Sequence, residues 1–516
     1  MALYDAYLYD SFPVAESHPD RLAGVAALFG VHPAPVSRAR VLELGCGLGG
    51  NLIPHAVAYP GSEFLGVDQS SRQIAIAQAD VDAMGLTNIR FRAADILELG
   101  DEIGRFDYVI CHGVYSWVPD AVQAKILRIC GERLNPGGVA FISYNTLPGW
   151  HMRGMLREIL RREVDPSGTP EEHIARAREF LKFFERLPGD EGSLAQRWFR
   201  SEVELLGKLS DKYLYYEHLI ERNDPKYFRD FAAEAERAGL TYLGDAHFWT
   251  MVTERLGPEA VAWIGSRTTS IVDTEQYMDL LDPRLFRRSL LVRAGTEIDR
   301  DVSWVRLPDV WVQGHVTPAS TEPSLEPGVD ETFTTTGGAT LTVGAPLMKA
   351  ALVLLARSSP RGRRFRDLVS ESRALVDGVA PVEPTPADGE AIGASLLGVH
   401  AQGYLELGVA EPPYVAAASE RPTTTALVRL QTGRDQRDCT NLRHESVLAD
   451  TFDRTVLHHA DGTRTRAELL DVVVDAIAAG LLVVEVNDVP TTDRETLRAV
   501  LDHKLEALAR QALFLA

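Results

Sequence analysis

Three features of the sequence predict an α/β fold, in which a doubly wound parallel sheet carries a helical insertion and a mainly α C-terminal region follows. An apolar run, "RVLELGCGLGGN" (40–51), breaks into a glycine-rich turn. Similar runs then alternate with amphipathic helical patterns up to residue 150, whereas 151–237 keep helical periodicity and lose the strand pattern. Strands alternating with helices build parallel sheets, because each parallel crossover needs a connection long enough for a helix.

The elements follow in order. "SEFLGVDQSS" (62–71) is a second strand closing on an acid, with serines placed to cap the helix "RQIAIAQADVDAMGL" (72–86), which Gly85 ends. "NIRFRAADI" (88–96) is the third strand and "FDYVICHG" (106–113) the fourth. After the turn "LNPGG" comes the fifth, "GGVAFISYN" (137–145). Beyond the helical stretch, "GLTYLGDAHF" (239–248) and "RRSLLVRAG" (287–295) read as strands six and seven. The expected core is therefore 1–150 with 238–295, and 151–237 is a lid inserted in it. Residues 296–332 read as a linker, with 315–332, rich in proline, serine and acid, marking a boundary or a loop excursion. Three helices and a strand in 333–412 give a winged-helix-like order, with "RGRRFR" (361–366) read as a solvated turn. Residues 413–516 repeat a helix–turn–helix rhythm as a C-terminal helical domain.

A chain of 516 residues exceeds one core, and 45% hydrophobic with 24% charged residues is an ordinary globular balance. The formal net charge of −20 argues against a protein that tracks nucleic-acid phosphates. Four cysteines with no CxxC pair suggest free thiols in a reducing compartment. The opening "MALYDAYLYDSF" has no basic and apolar leader pattern, and no long uncharged apolar span follows, so the expectation is a cytoplasmic protein with no membrane partner. Adjacent His458 and His459 point about 100° apart in a helix, so no metal site is expected.

Ligands of open α/β sheets bind at the carboxyl ends of the strands, where the acids and aromatics just quoted fall. Gly45, Gly47 and Gly49 follow a strand and open a helix, and Asp68 closes the next strand about twenty residues on, the layout of an adenosine-type cofactor site. The competing reading is a tight turn that binds nothing. Dinucleotide sites show G-x-G-x-x-G, but "ELGCGLGG" gives E-x-G-x-G-x-G, and Glu43 is placed to meet a cationic amino group. Asp68 would accept ribose hydroxyls and Asp95 an adenine amino group, with Cys46, Asn51, Gln69 and Ile96 completing the expected contacts. This motif set resembles that of class I S-adenosylmethionine-dependent methyltransferases, which implies a Rossmann-like core and S-adenosyl-L-methionine as cofactor.

"CHGVYSWVP" (111–119) follows the fourth strand. Tyr115 and Trp117 could line a methyl-transfer site, since aromatic faces stabilise a cation within about 6 Å. Alternatively, both pack under a helix. His112, His18 and Tyr9 are candidate proton relays, His112 reading otherwise as the partner of a local hydrogen bond.

Longer motifs carry a closer resemblance. "YDSFPVAESHPDRLAGVAALFG" (9–30), "VLELGCGLGGNL" (41–52), "FDYVICHGVYSWVP" (106–119) and "SYNTLPGW" (143–150) resemble a group of bacterial methyltransferases. Its members pair a methyltransferase core with a regulatory domain, here 209–295, and a winged-helix C-terminal region. "EQYMDLLDPRLFRRSLLVR" (275–293) and "TNLRHESVLADTFDRTVLHHADGTRTRAELL" (440–470) match more loosely. Known members are protein-lysine methyltransferases. The resemblance places Tyr9, His18 and Pro19 in a segment folded over the cofactor, although His18 reads equally as a helix cap. It puts Tyr144, Asn145 and Trp150 on the substrate rim. The implied partner is a protein or peptide substrate, and a homodimer is compatible with the reading. A small-molecule or biosynthetic-peptide methyltransferase and a non-catalytic cofactor-binding scaffold are the alternatives.

Overall fold

The computed structural model describes residues 7–165, 167–187, 193–314, 316–335 and 337–516. Its largest sheet contains β1 (Arg40–Leu44), β2 (Glu63–Asp68), β3 (Ile89–Ala93), β4 (Phe106–Cys111), β5 (Leu134–Leu147), the short β6 (Lys226–Tyr227), β7 (Leu240–Asp245) and β8 (Phe286–Arg293). The strand order is β3-β2-β1-β4-β5-β8-β7, with β6 beside β5. Strands β1 to β5 pair in parallel, whereas β8 runs antiparallel to both β5 and β7. The reversed strand is a departure from an all-parallel sheet, and the alternating pattern carries no signal for it.

Local chemistry sets the elements. Ser70 caps Ser71–Met84 by accepting from Gln73 N, and Gly85 closes it in the left-handed region at φ 67°. Apolar side chains cover both faces of the sheet. On one face the helix Pro19–Leu28 contributes Leu22, Val25 and Ala26. On the other, Asp120–Arg133 contributes Ile126 and Cys130, and Phe228–Arg237 contributes Phe228 and Phe231. The motif at 275–293 resolves into a buried charge network. Arg287 donates to Asp279 at 2.7 Å and to Glu275 at 2.8 Å, pinning Ile271–Leu281 to β8.

Residues 151–237 are not uniformly helical lid. Gly149–Glu163, Pro170–Glu185, Leu194–Lys208 and Asp211–Leu214, the last running into the π-helical Tyr215–Leu219, share a core of their own with Leu160, Leu181 and Leu214. The next helix, Phe228–Arg237, belongs instead to the sheet core, and β6 supplies a strand where none was expected.

The segment 296–332 is likewise not a free linker. Trp311–Gln313 pairs with Arg363–Arg364 and Glu406–Gly408, and Val316–Pro318 pairs with Glu331–Thr335. Lys349 is buried and donates to the carbonyls of Glu326 and Val329 at 2.7 Å, which ties the excursion down. "RGRRFR" is no solvated turn. Arg363 pairs with Glu371, and Arg364 and Arg366 with Asp309. Helices Pro346–Ser358, Phe365–Asp377 and Pro386–His400 pack with Leu28 of the first helix. A side chain on Gly24 would collide with the Leu407 carbonyl, so glycine lets this helix meet the strand Glu406–Gly408. The last section packs Ala426–Gly433, Thr451–His459, Arg466–Ala478 and Arg494–Arg510 around a separate core. Among the described residues, no helix is long and apolar enough to cross a membrane.

Candidate functional site

The sheet order brings the carboxyl ends of β3, β2, β1, β4 and β5 side by side. After β1 the chain turns through Gly45, Gly47 and Gly49, all left-handed at φ 77°, 53° and 76°. That conformation favours glycine and keeps the turn's backbone open to a ligand. Asp68, at the end of the adjacent β2, accepts from Gly47 N at 3.0 Å and from Ser70 N at 2.8 Å. One carboxylate thus fixes both the glycine turn and the start of the next helix.

Glu43 is buried on β1 beside this turn. Its Oε1 accepts from Asn51 Nδ2 at 2.7 Å, while Oε2 is buried with no hydrogen-bond partner among the described residues. Burial pushes its carboxyl up to about 8, with Asp68 adding repulsion. A cationic amino group at Oε2 would satisfy the orphan oxygen and favour the carboxylate. The residues therefore fit the cofactor expected of them. Asp95 is exposed, two residues beyond β3, and accepts from Leu97 N at 2.8 Å. Ile96 beside it is half-buried, and Gln69 is exposed past β2.

Two of the expected cofactor residues have side chains that the protein itself engages. The Cys46 side chain is buried under β2, and Gly66 leaves room for its sulfur. Asn51 is consumed by the protein, since Oδ1 accepts from Val14 N at 2.8 Å and Nδ2 donates to Ser17 Oγ at 3.0 Å as well as to Glu43.

The aromatic cluster divides. Tyr115 is 0% exposed, donates to Glu234 Oε2 at 2.7 Å and packs on Phe231, whose ring centroid lies 5.4 Å away. Tyr144 is 1% exposed, stacks on the same Phe231 at 4.0 Å and bonds Ser289 Oγ. Both are core, because Phe228–Arg237 covers this end of the sheet. Trp150, 2% exposed, and half-buried Trp117 face each other edge-on, 6.5 Å apart, with Trp117 packed against the lid core. Asn145 is buried, its amide donating to Asn223 at 2.9 Å and its N–H to Ser116. Tyr144, Asn145 and Trp150 are thus not rim residues, and Tyr115 lines no open site.

His112 stays at the end of β4, half-buried, with Nδ1 3.0 Å from Ser143 Oγ. Burial, with the charge of Arg288, lowers its imidazole to about 4, so it is neutral at ordinary pH. Near it lies a group the sequence did not suggest. Glu16 meets His247 at 3.2 Å and Arg288 at 3.5 Å, and despite burial these partners draw its carboxyl down to about 2. Only the fold joins residues 16, 247 and 288.

The N-terminal segment crosses the site. Ser11 Oγ accepts from Gly50 N at 2.8 Å. Tyr9, 39% exposed, packs edge-on against Tyr216 of the lid at 4.9 Å, Tyr216 donates to the Tyr7 carbonyl, and Lys212 pairs with Asp10. His18 is the helix cap of the alternative reading. It caps Pro19–Leu28 by accepting from Asp20 N at 3.1 Å, buried against His55 and His444. Among the described residues, no cluster of His, Cys, Asp and Glu could hold a metal ion.

Comparisons with known proteins agree with this geometry. Family models match as "Methyltransferase domain" over 41–138, "Predicted methyltransferase regulatory domain" over 210–293, and "PKMT, C-terminal winged helix domain" over 420–513. The winged-helix match falls on the last section, not on 333–412. A Rickettsia prowazekii protein, "Uncharacterized protein RP789", is 32% identical over 505 residues, 97% of this chain and 90% of its own. The structure of PKMT2 from Rickettsia typhi is similar at 30% identity and a TM-score of 0.87, over 98% of this chain and 100% of that one. A second structure of that protein, in complex with AdoHcy, gives 29% and 0.87 with the same coverage. This chain belongs to the PKMT family of methyltransferases.

Proposed function

We propose that the chain transfers a methyl group from S-adenosylmethionine to lysine side chains of a protein or peptide. The likeness to PKMT2 over 98% of this chain, lid and C-terminal sections included, is the observation that carries the reading. When bound, the cofactor supplies an electrophilic methyl group on a sulfonium. In this assignment Glu43 Oε2 accepts from its amino group, Asp68 from the ribose hydroxyls and Asp95 from the adenine amino group, with Gly45 and Gly47 lending close backbone. The division of labour proposed is a core of 1–150 and 226–295, which takes in β6 and Phe228–Arg237, a helical lid inserted between them, and C-terminal sections that frame the substrate. All four cysteines are buried and unpaired, in keeping with a cytoplasmic setting.

Lysine must arrive neutral although its ordinary pKa is about 10.4. Desolvation beneath the lid, beside a sulfonium, favours the neutral amine. His112, held low, stores a proton poorly, so its role is to orient through Ser143 and pass the proton on to water. Tyr9 and Trp117 are the aromatic groups left near the rim. Alignment does most of the work, because near-attack placement alone is worth ~7–11 kcal/mol.

The test is incubation of the purified chain with labelled S-adenosylmethionine and proteins extracted from the host bacterium, followed by peptide mass spectrometry. Label on lysine side chains is expected. Label confined to low-mass products would overturn the lysine reading.

A further inference from the structure

The region where Glu43, Asn51 and the C-terminal section meet holds a feature the methyl-transfer reading leaves unused. Three histidines from distant parts of the chain are buried together. His55 and His444 stack at 3.9 Å with an interplanar angle of 10°, and His18 stands edge-on to both at 4.8 and 5.7 Å. His444 alone reaches into the hydrogen bonds of the glycine turn, its Nε2 lying 2.7 Å from Asn51 Oδ1.

The Val14 N–H sets Oδ1 as the acceptor side of the Asn51 amide, so His444 Nε2, facing the same oxygen, must carry the proton and donate. With Oδ1 receiving N–H groups from Val14 and His444, Nδ2 is left to donate to Glu43 Oε1 at 2.7 Å and to Ser17 Oγ. A flipped amide would set its oxygen against the carboxylate. Holding Oε1 in this way leaves Oε2 as the unpartnered oxygen.

His444 is presented by a strained turn. It sits at φ 64°, between Asp438–Thr440 and Ser446–Leu448, in the left-handed region that few residues other than glycine occupy. Asn441 Oδ1 accepts from both Arg443 N and Glu445 N at 2.9 Å and braces the turn. Arg21 then clamps it to the first helix, reaching the Arg443 carbonyl at 3.1 Å and Glu445 at 3.2 Å. Both flanks of the strained residue are fixed, and its imidazole is aimed at residue 51.

We infer that His444 is a positioning residue of the cofactor site: donating from Nε2 to Asn51, it joins the Val14 N–H in holding the amide that holds Glu43, so docking of the C-terminal section and cofactor binding are coupled. The inference rests on the proposed role of Glu43 toward the cofactor amino group. It gives the C-terminal section a part in cofactor binding besides any part in holding substrate.

The experiment is calorimetric titration of the full chain with S-adenosylhomocysteine, comparing wild type with His444→Ala, His444→Gln, Asn51→Ala, the double variant and Asp68→Ala. His444→Ala should weaken binding about tenfold, the effect of losing one buried hydrogen bond. His444→Gln, whose amide nitrogen can stand in for Nε2, should recover most of it. The double variant should bind no worse than Asn51→Ala alone, because the two residues act in series. Additive losses in the double variant, or equal losses in His444→Ala and His444→Gln, would overturn the coupling and leave His444 as packing. If Asp68→Ala weakens binding while His444→Ala does not, only this inference fails. If neither changes it, the cofactor-site reading falls and the inference with it.

Discussion

Two ends of one sheet edge behave oppositely. At β1 and β2 the strand ends carry carboxylates whose hydrogen bonds hold a glycine turn, and one buried oxygen has no partner. At β4 and β5 the strand ends carry aromatics that are wholly buried, with both tyrosine hydroxyls bonded to neighbouring side chains. The difference is what lies above them. Phe228–Arg237 brings Phe231 and Glu234 down over Tyr115 and Tyr144. Over the glycine turn lies instead the N-terminal segment, which touches it through Ser11. A strand end is a binding site when its polar groups are incompletely paired, and core when they are satisfied.

The comparison breaks most readily by truncation on the buried side. Tyr115→Ala or Tyr144→Ala should cost about 3–5 kcal/mol, as large aromatic deletions do, with Tyr115→Ala also stripping Glu234 of its donor. Urea unfolding of the variants checks this, and an unchanged midpoint would return both residues to the list of site candidates. On the open side, Asp68→Ala should cost about 1–3 kcal/mol of cofactor binding, since the ribose acceptor and the brace on Gly47 disappear together. Calorimetry with unchanged affinity would mean that the ligand lies elsewhere along the edge.

Glu43→Gln sharpens the contrast because its two effects have opposite signs. The folded chain holds this carboxyl near 8, well above the usual value of about 4.3, so the unfolded chain gives up this proton first and stability declines as pH rises between the two. The variant should melt a few degrees higher than wild type at pH 7 and bind the cofactor more weakly. Lower melting would show that the carboxylate is paired after all. The smallest effect concerns the histidine seam. Burial depresses His18, His55 and His444, with His55 at about 3, so an unfolded chain takes up protons that the packed rings refuse. Stability from the seam is therefore complete above about 6.5 and declines as pH falls below it. Melts at pH 7.5 and 5.5 should show a drop that His55→Phe reduces, and an equal drop in both would acquit the histidines.

Much of the glycine turn was legible because its parts are close in sequence and each has a local reason. Positive φ at Gly45, Gly47 and Gly49, the Ser70 cap and Asp68 at a strand end are all written within thirty residues. The aromatic stretch misled because residue type does not say what packs on top, and the covering helix arrives a hundred residues later. Asn51 reads as a ligand contact from its place in the motif, yet its partners are residues 14, 17, 43 and 444. Glu16, His247 and Arg288 had no local signal either, nor did the reversed β8. The strands at 311–313 and 316–318 were hidden by a proline-rich composition that usually marks a loop.

The central claim is that the unpartnered oxygen of Glu43 and the carboxylate of Asp68 are the two ends of the cofactor site. A crystal structure of the full chain with S-adenosylhomocysteine tests it most directly. The account predicts the ligand's amino group within hydrogen-bonding distance of Glu43 Oε2 and both ribose hydroxyls on Asp68, with His444 still bonded to Asn51. A ligand whose amino group meets another acid, leaving Glu43 Oε2 buried and unpartnered, would contradict it.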